Sequence, residues 1–419
     1  MRIMVISNFY PPHTLGGYEL GCHEVVNALT ARGHAVSVLT SDHGAGHAMV
    51  DGNVYRWLSV DHLDPRHAGD RRTDLTRLCL MQIRAQRAFD EVWKRDRPDV
   101  VYAWNLAKLP IALAARAQSR GPIAYYISDA WLEKAGEPGW YQERWMATTA
   151  TPRGSAQRLA VAATRASFRL GGLTWLDEPL RLEHAQFCSA FLRDAALRAG
   201  RHVEHAEVVH WGVDANRFRP AARAADRART RLLYAGQIVP HKGVHTAIAA
   251  VARLHACGYG EVTLTIAGAA HDLEYDARLR AQVTAARLDE SVRFIGPQPR
   301  EHLAGIYREH DILVFPSCWE EPFAITPLEA MASGLVVVGT PAGGSSEVFD
   351  DGVNALTFPE EDAAACASQL QRVISDAAFA TDLATRARRT IVERFTLERM
   401  VDRIEARLRA ATGEPHDVH

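Results

Sequence analysis

Short, dense apolar runs recur along the chain, separated by stretches with helical spacing. In the first half they are Ile3-Met4-Val5-Ile6, Val36 to Thr40, Pro98 to Trp104 and Ile123 to Asp129. In the second they are Leu232 to Gly236, Val262 to Gly268, Val292 to Gly296, Asp311 to Phe315 and Leu335 to Val338. Runs of this length without polar alternation predict parallel strands buried on both faces. Between them, Cys22, Val25, Val26 and Leu29 fall at i, i+3, i+4 and i+7, which predicts a helix ending at Gly33. Further helices are predicted over Leu75 to Trp93, Val244 to Leu254 and Thr396 to Ala411. Asp42 to Arg72, rich in Gly, His and Asp, reads as loop around one short strand, Val54 to Trp57. The pattern restarts after a polar stretch, Ala221 to Arg229, which suits a linker. The expectation is an α/β protein with Rossmann-like domains at 1–215 and 228–395, then a helix and frayed tail over 396–419.

The tightest unit runs from Asp311 to Glu347. A strand ends at Pro316-Ser317, and a loop carries Glu320 and Glu321. A helix is expected from near Pro322 to Ile325 until Gly334, then a strand and a turn at Gly343-Gly344-Ser345. Such βαβ units bind ligands beyond the carboxyl ends of their strands. Glu329 lies eight positions after Glu321, at most ~12 Å along a helix. The amides near Phe323, Ala324 and Ile325 would form an anion site between the two carboxylates. That arrangement suits a sugar–diphosphate–ribose ligand. Spacing alone favours a plainer alternative, an ordinary helix with one acidic residue in its first turn and another on its surface. Gly16-Gly17, between the first strand and its helix, would let backbone approach a phosphate, although G-x-G-x-x-G is absent.

Composition narrows the class. At 419 residues the chain exceeds one ordinary core, so two domains of about 200 residues are expected. The formal charge is -2 and the pI near 6.8, which gives no footprint for nucleic acid. Cys22, Cys79, Cys188, Cys257, Cys318 and Cys366 are scattered without C-x-x-C and read as reduced thiols. The seven His between positions 13 and 67 have no metal-ligand spacing, so solvated loop is the reading and no metal site is expected. No apolar run approaches the ~20 residues that span a bilayer, and the expected location is cytoplasmic. Glu133 to Pro179 is Ala- and Arg-rich with Trp140, Tyr141 and Trp145. It reads as a solvated helix pair, or alternatively as a basic flap for peripheral contact with the inner face of a membrane.

Residues 321–334, E-P-F-x(5)-E-A-M-A-x-G, followed by an apolar strand and G-G-x-x-E at 343–347, resemble the E-x7-E motif of group 1 retaining glycosyltransferases of family four. Nearly the whole chain follows that pattern. Val208 to Pro220 is similar to the family's crossover, strand-G-V-D-x(3)-F-x-P, and Gly236 to Gly243 resembles its phosphate loop. The resemblance implies a GT-B fold, two Rossmann-like doubly wound domains facing across a cleft, with the last helix crossing back to the first. It also implies transfer of a sugar from a nucleoside diphosphate sugar to an acceptor hydroxyl, with retention and without a bound metal. A bacterial glycan, a lipid-linked glycan or a natural product would be the acceptor. No D-x-D occurs.

By the same resemblance Lys242 stabilises the departing diphosphate, with Gln237, Gly16 and Gly17 around it. Lys242 is one of four lysines against 44 arginines (48 minus 4), and a compact ammonium suits that charge. Glu321 would contact sugar hydroxyls and Glu329 the ribose, while Phe323, Ala324 and Ile325 supply amides and the turn at Gly296 holds the base. Two positions depart from the family pattern. Gln237 stands where Arg is usual, and the first half offers Trp104-Asn105 and Ser128-Asp129 where a His is common. Asp129 or Tyr126 would take part of that role, a structural Asp being the alternative. A nucleotide-sugar epimerase or phosphorylase of the same fold, or a non-catalytic sugar-nucleotide-binding protein, are the competing functions.

Overall fold

The structure is a computed structural model that describes residues 1–14, 16–60, 71–132, 154–175, 180–221 and 230–413, without the side chains of 71–76 and 156–157. The chain divides into two compact units, Met1–Val209 with Val401–His419, and His210–Met400.

In the first unit the order is β1 (Arg2–Ser7), α1 (Gly17–Ala31), β2 (Ala35–Ser41), β3 (Met49–Asp51), β4 (Val54–Leu58), α2 (Arg71–Asp96) and β5 (Val100–Asn105). Then come α3 (Ala112–Arg120), β6 (Ile123–Ile127), α4 (Ser155–Leu170), β7 (Ala185–Phe187), α5 (Ala190–Arg198) and β8 (Glu207–Val208). The sheet runs β3-β4-β2-β1-β5-β6-β7-β8. Its pairs are parallel except β3–β4. The loop expected over 42–72 is therefore part hairpin, and α2 begins at Arg71, inside that stretch. Residues 61–70, and most of the predicted flap over 133–179, lie outside the described residues, as do 222–229 of the linker.

The second unit follows the same scheme: β9 (Arg231–Ala235), α6 (Val244–Ala256), β10 (Thr263–Ala267), α7 (Leu273–Ala285), β11 (Val292–Gly296) and α8 (Arg300–Glu309). It continues through β12 (Ile312–Phe315), α9 (Ile325–Ala332), β13 (Val336–Gly339), β14 (Leu356–Thr357), α10 (Ala363–Ser375) and α11 (Ala377–Arg394), and α12 (Leu397–Thr412) follows. The strand order is β11-β10-β9-β12-β13-β14, all parallel. Alternate residues Leu232, Tyr234, Leu264, Ile266, Ile312, Val314, Val336 and Val338 share one core with α6, α7 and α10. Their neighbours Leu233, Leu313 and Val337 are equally buried, so helices must cover both faces. That is why these strands read as unbroken apolar runs.

In each sheet one central strand has neighbours reached by connections that run in opposite directions, β1 between β2 and β5, and β9 between β10 and β12. In open α/β sheets such switch points, at the carboxyl ends of the strands, are where ligands bind. The sequence-predicted site residues fall on these two edges, Gly16, Gly17 and Asp129 in the first unit and the remainder in the second.

From residue 401 on, α12 belongs to the first unit. Val401, Ile404 and Leu408 are buried, and Arg403 and Arg407 bond Glu207 at 2.7 and 3.3 Å. Glu405 accepts from Arg409 at 2.8 Å and Arg32 at 2.9 Å, and His34 Nε2 lies 3.1 Å away. Burial pushes the Glu405 carboxyl up, but those three partners outweigh it and hold the group down at about 2, from an ordinary 4.5. A depressed carboxyl stabilises the fold above its unfolded value and loses that contribution as pH falls towards the folded one. We expect Glu405→Gln to lower Tm at pH 7 by the equivalent of about 1–3 kcal/mol. In melts repeated at lower pH, the gap to wild type should narrow below pH ~4.5.

Candidate functional site

The loop after β9 turns through a 3-10 segment, Pro240–Lys242, and ends at Gly243 with φ +68°. A Cβ on Gly243 would stand 1.9 Å from the Pro316 carbonyl oxygen, so only glycine lets this turn lie against the end of β12. Cys318 N–H donates to the His241 carbonyl at 3.0 Å, completing the seam. Across it, Lys242 Nζ meets Glu321 Oε1 in a direct ion pair. Ser317 Oγ donates to the same oxygen at 2.8 Å. Ser317 is held in turn by the Thr340 hydroxyl on its carbonyl, and Thr340 N–H bonds Phe315 at 2.9 Å. Lys242 and Glu321 side chains are 22% and 9% exposed. The ammonium carries three N–H donors, so one reaches Glu321 and others remain for a ligand oxygen.

The backbone of Glu321 is fixed from the opposite side. Gly344 N–H donates to its carbonyl at 2.7 Å, and a Cβ on Gly343 (φ +57°) would lie 2.5 Å from that same oxygen. The expected glycine turn is a 3-10 segment, Gly343–Glu347. At its far end Glu347 Oε2 accepts from His210 Nε2 at 2.7 Å.

Helix α9 starts at Ile325 with Ala324 as its N-cap and no side-chain cap. Phe323 therefore lies before the helix, and the first-turn amides belong to Ala324, Ile325 and Thr326 rather than to Phe323 to Ile325. Pro327, third in the helix, has no N–H to contribute and loses nothing there. Glu329 is 3% exposed; Arg300 pairs with its Oε1 and Tyr307 hydroxyl donates to Oε2 at 2.9 Å. Burial pushes the Tyr307 phenol well up, and the Glu329 carboxylate adds to it. The phenol is the proton donor in that bond.

Gln237 is half-buried beside the seam, and its carbonyl accepts from Tyr234 hydroxyl at 2.6 Å. Gly296, at φ +69°, offers its carbonyl to Gly268 N–H at 2.9 Å, joining the ends of β10 and β11. The His241 imidazole is held down by burial and by Lys242, which keeps it neutral near pH 7.

In the first unit Gly16 N–H donates to Glu19 Oε2 at 2.9 Å, and Glu19 is fully buried in the first turn of α1. Gly16 has extended φ of −151°, and a Cβ there would meet Glu19 at an ordinary 3.5 Å. Neither backbone strain nor packing demands glycine at 16. Asp129 follows β6 and accepts from Ala130 N–H at 2.7 Å. Tyr18 joins these groups: burial pushes its phenol up, and Glu19 and Asp129 push it further. Tyr126, by contrast, faces inward, its hydroxyl donating to Val209 at 2.8 Å. Among the described residues, no cluster of three or more His, Cys, Asp or Glu could hold a metal ion.

Sequence reasoning missed Ser317, Arg300, Tyr307, Glu19 and the His210–Glu347 bond. Only Ser317 had a local signal, as a hydroxyl ending a strand four residues before Glu321.

Residues 15–217 match the family description "Glycosyltransferase Family 4", and 217–390 match "Glycosyl transferases group 1". The chain is 29% identical to a glycogen synthase of Mycobacterium tuberculosis, over 94% of this chain and 91% of that protein. It superposes on sucrose-phosphate synthase from Thermosynechococcus elongatus with a TM-score of 0.71 at 20% identity, covering 99% and 100% of the two chains. Anabaena Alr3699/HepE in complex with UDP-glucose gives 0.66 at 18% identity, covering 98% and 100%.

Two glycines separate packing from conformation. Gly243→Ala meets the Pro316 oxygen and should lose the seam, lowering stability by about 3 kcal/mol or more. Gly296→Ala has no atom within 4 Å of the added methyl and should cost only about 1–2 kcal/mol for its left-handed backbone. Thermal melts of the two variants test the contrast.

Proposed function

The chain belongs to the group 1 glycosyltransferases of family four and has their GT-B fold, and from that premise we propose a metal-independent, retaining hexosyltransferase acting from a nucleoside diphosphate sugar. The observation that carries this reading is the Lys242–Glu321 pair, set at the carboxyl edge of β9 and β12 beside the uncapped start of α9. A departing diphosphate needs positive charge and N–H donors arranged beforehand. Lys242 supplies the charge, and Ala324, Ile325 and Thr326 supply the amides. The bond from the anomeric carbon to the diphosphate oxygen breaks, the acceptor oxygen bonds to the same face, and its proton passes to the leaving phosphate. Glu321, already bonded to Lys242 and Ser317, is cast as an acceptor for sugar hydroxyls rather than as a nucleophile.

Glu329 is assigned to the ribose. Arg300 and Tyr307 hold its two oxygens, and a carboxylate has about four lone-pair sites, so hydroxyls can share it. Gln237 donates hydrogen bonds without charge, which leaves Lys242 as the cation of this loop. In the first unit, Gly16 and Gly17 are assigned to the diphosphate side, and at Gly16 neither strain nor packing calls for a glycine. Asp129, beside Tyr18 and Glu19, is the candidate acceptor-side carboxylate. The UDP-glucose complex of the Anabaena protein supports a nucleotide-sugar donor. A bacterial or lipid-linked glycan or a natural product is the proposed acceptor class, and peripheral membrane contact through 133–179 remains part of the proposal.

Thermal melting with UDP, GDP and ADP, each with and without EDTA, tests the donor site. A hundredfold excess over Kd stabilises by about 2.7 kcal/mol, and one nucleotide should shift Tm equally in both buffers. Failure of all three would sink the reading. With the matching sugar nucleotide, Lys242→Ala should turn over ~10²–10³ more slowly, and a variant keeping half its rate would remove Lys242 from the mechanism. Glu329→Ala should bind the nucleotide more weakly; unchanged affinity would count against the ribose role.

A further inference from the structure

The segment after Val209 brings a histidine to the donor loop from outside the E-x7-E motif. His210 Nε2 lies 2.7 Å from Glu347 Oε2, and its ring centroid is 5.2 Å from Phe323 and 5.4 Å from Phe395. We infer that His210 and Glu347 act together as a positioning pair for the Glu321–Phe323 loop, so that nucleoside diphosphate affinity depends on their bond. The inference deepens the glycosyltransferase reading and rests on it.

Three observations meet at this residue. The first is that its backbone mount does not slide. Val213 N–H donates to Phe395 at 2.9 Å, Leu397 N–H returns to Val213 at 3.1 Å, and a Cβ on Gly212 would stand 2.3 Å from the Thr396 oxygen. The second is the path through Glu347. That carboxylate ends the 3-10 turn whose other end gives Gly344 N–H to the Glu321 carbonyl and packs Gly343 on the Glu320–Glu321 peptide. The third is the ring itself, which lies against Phe323, two positions after Glu321 and next to the Ala324 cap of α9. His210 thus touches one end of the loop directly and the other through the turn. Moving it displaces the carboxylate and the anion-binding amides together.

Stability and positioning make different demands here. The two side chains are 24% and 19% exposed, and partly solvated pairs contribute only about 0–1 kcal/mol to folding. A structural role would therefore show as a small change in Tm with ligand affinity intact. A positioning role shows in affinity, because amides must sit within roughly 0.5 Å of where the ligand oxygens bind.

The test is calorimetric titration of UDP, GDP and ADP into wild type, His210→Ala, His210→Gln, Glu347→Ala and the His210→Ala/Glu347→Ala double variant. For the nucleotide that wild type binds, each single alanine change should weaken affinity about tenfold, and the double variant should be no weaker than the worse single one. His210→Gln, whose amide can reach Glu347, should recover most of the loss. Unchanged affinity in the alanine variants, or losses that multiply in the double variant, would overturn the pair. Wild type that binds none of the three nucleotides would instead overturn the donor-site reading beneath it.

Discussion

The carboxyl edge of the second unit depends on one close approach, the backbone at Gly243 against the carbonyl of Pro316. No side chain fits between them, so the turn after β9 and the end of β12 meet at van der Waals distance. That contact sets the separation across which Lys242 and Glu321 pair. A lysine is long and flexible, and ordering it loses side-chain entropy unless its root is fixed. Here the root is fixed by glycine on one side and by the His241–Cys318 backbone bond on the other. Ser317 and Gly344 then fix Glu321 from two further directions.

Charge is balanced as carefully as distance. Each carboxylate of the E-x7-E motif already has a cation, Lys242 for Glu321 and Arg300 for Glu329. Two uncompensated carboxylates beside a helix mouth would repel any phosphate. Pairing removes that repulsion, and the buried Glu329 avoids the cost of an isolated charge. The two pairs differ in solvation: Glu329 is almost sealed, whereas Lys242 keeps about a fifth of its side chain exposed. The sealed pair suits a fixed surface and the open one suits a group that exchanges partners.

Much of this was legible from sequence because burial on both faces leaves an unmistakable strand pattern. Leu232 to Tyr234 in β9 shows it as plainly as Ile312 to Phe315 in β12, and every one of those positions is buried. Glu321, Glu329 and Lys242 were found by motif, and the structure sets Lys242 against Glu321. Arg300 and Tyr307 were not found, since they lie 29 and 22 positions before Glu329 and nothing local ties them to it. His210 and Glu347 are 137 positions apart, and only folding makes them neighbours. The helix start at Ile325 lies at the end of the expected range, and Pro327, tolerated in a first turn, is compatible with it.

The chain path also decides how the protein can be divided. The first unit is assembled from two separated stretches, because α12 returns to it after the whole second unit has been built. A gene fragment ending at Val209 would encode a sheet without the helix that carries Val401, Ile404 and Leu408 into its core. Such a fragment would expose apolar surface and leave Glu207 without Arg403 and Arg407. During synthesis the first half must likewise wait for α12 before its fold closes. Supplied as a separate peptide, α12 would be the natural complementing piece, in the manner of split reporter proteins.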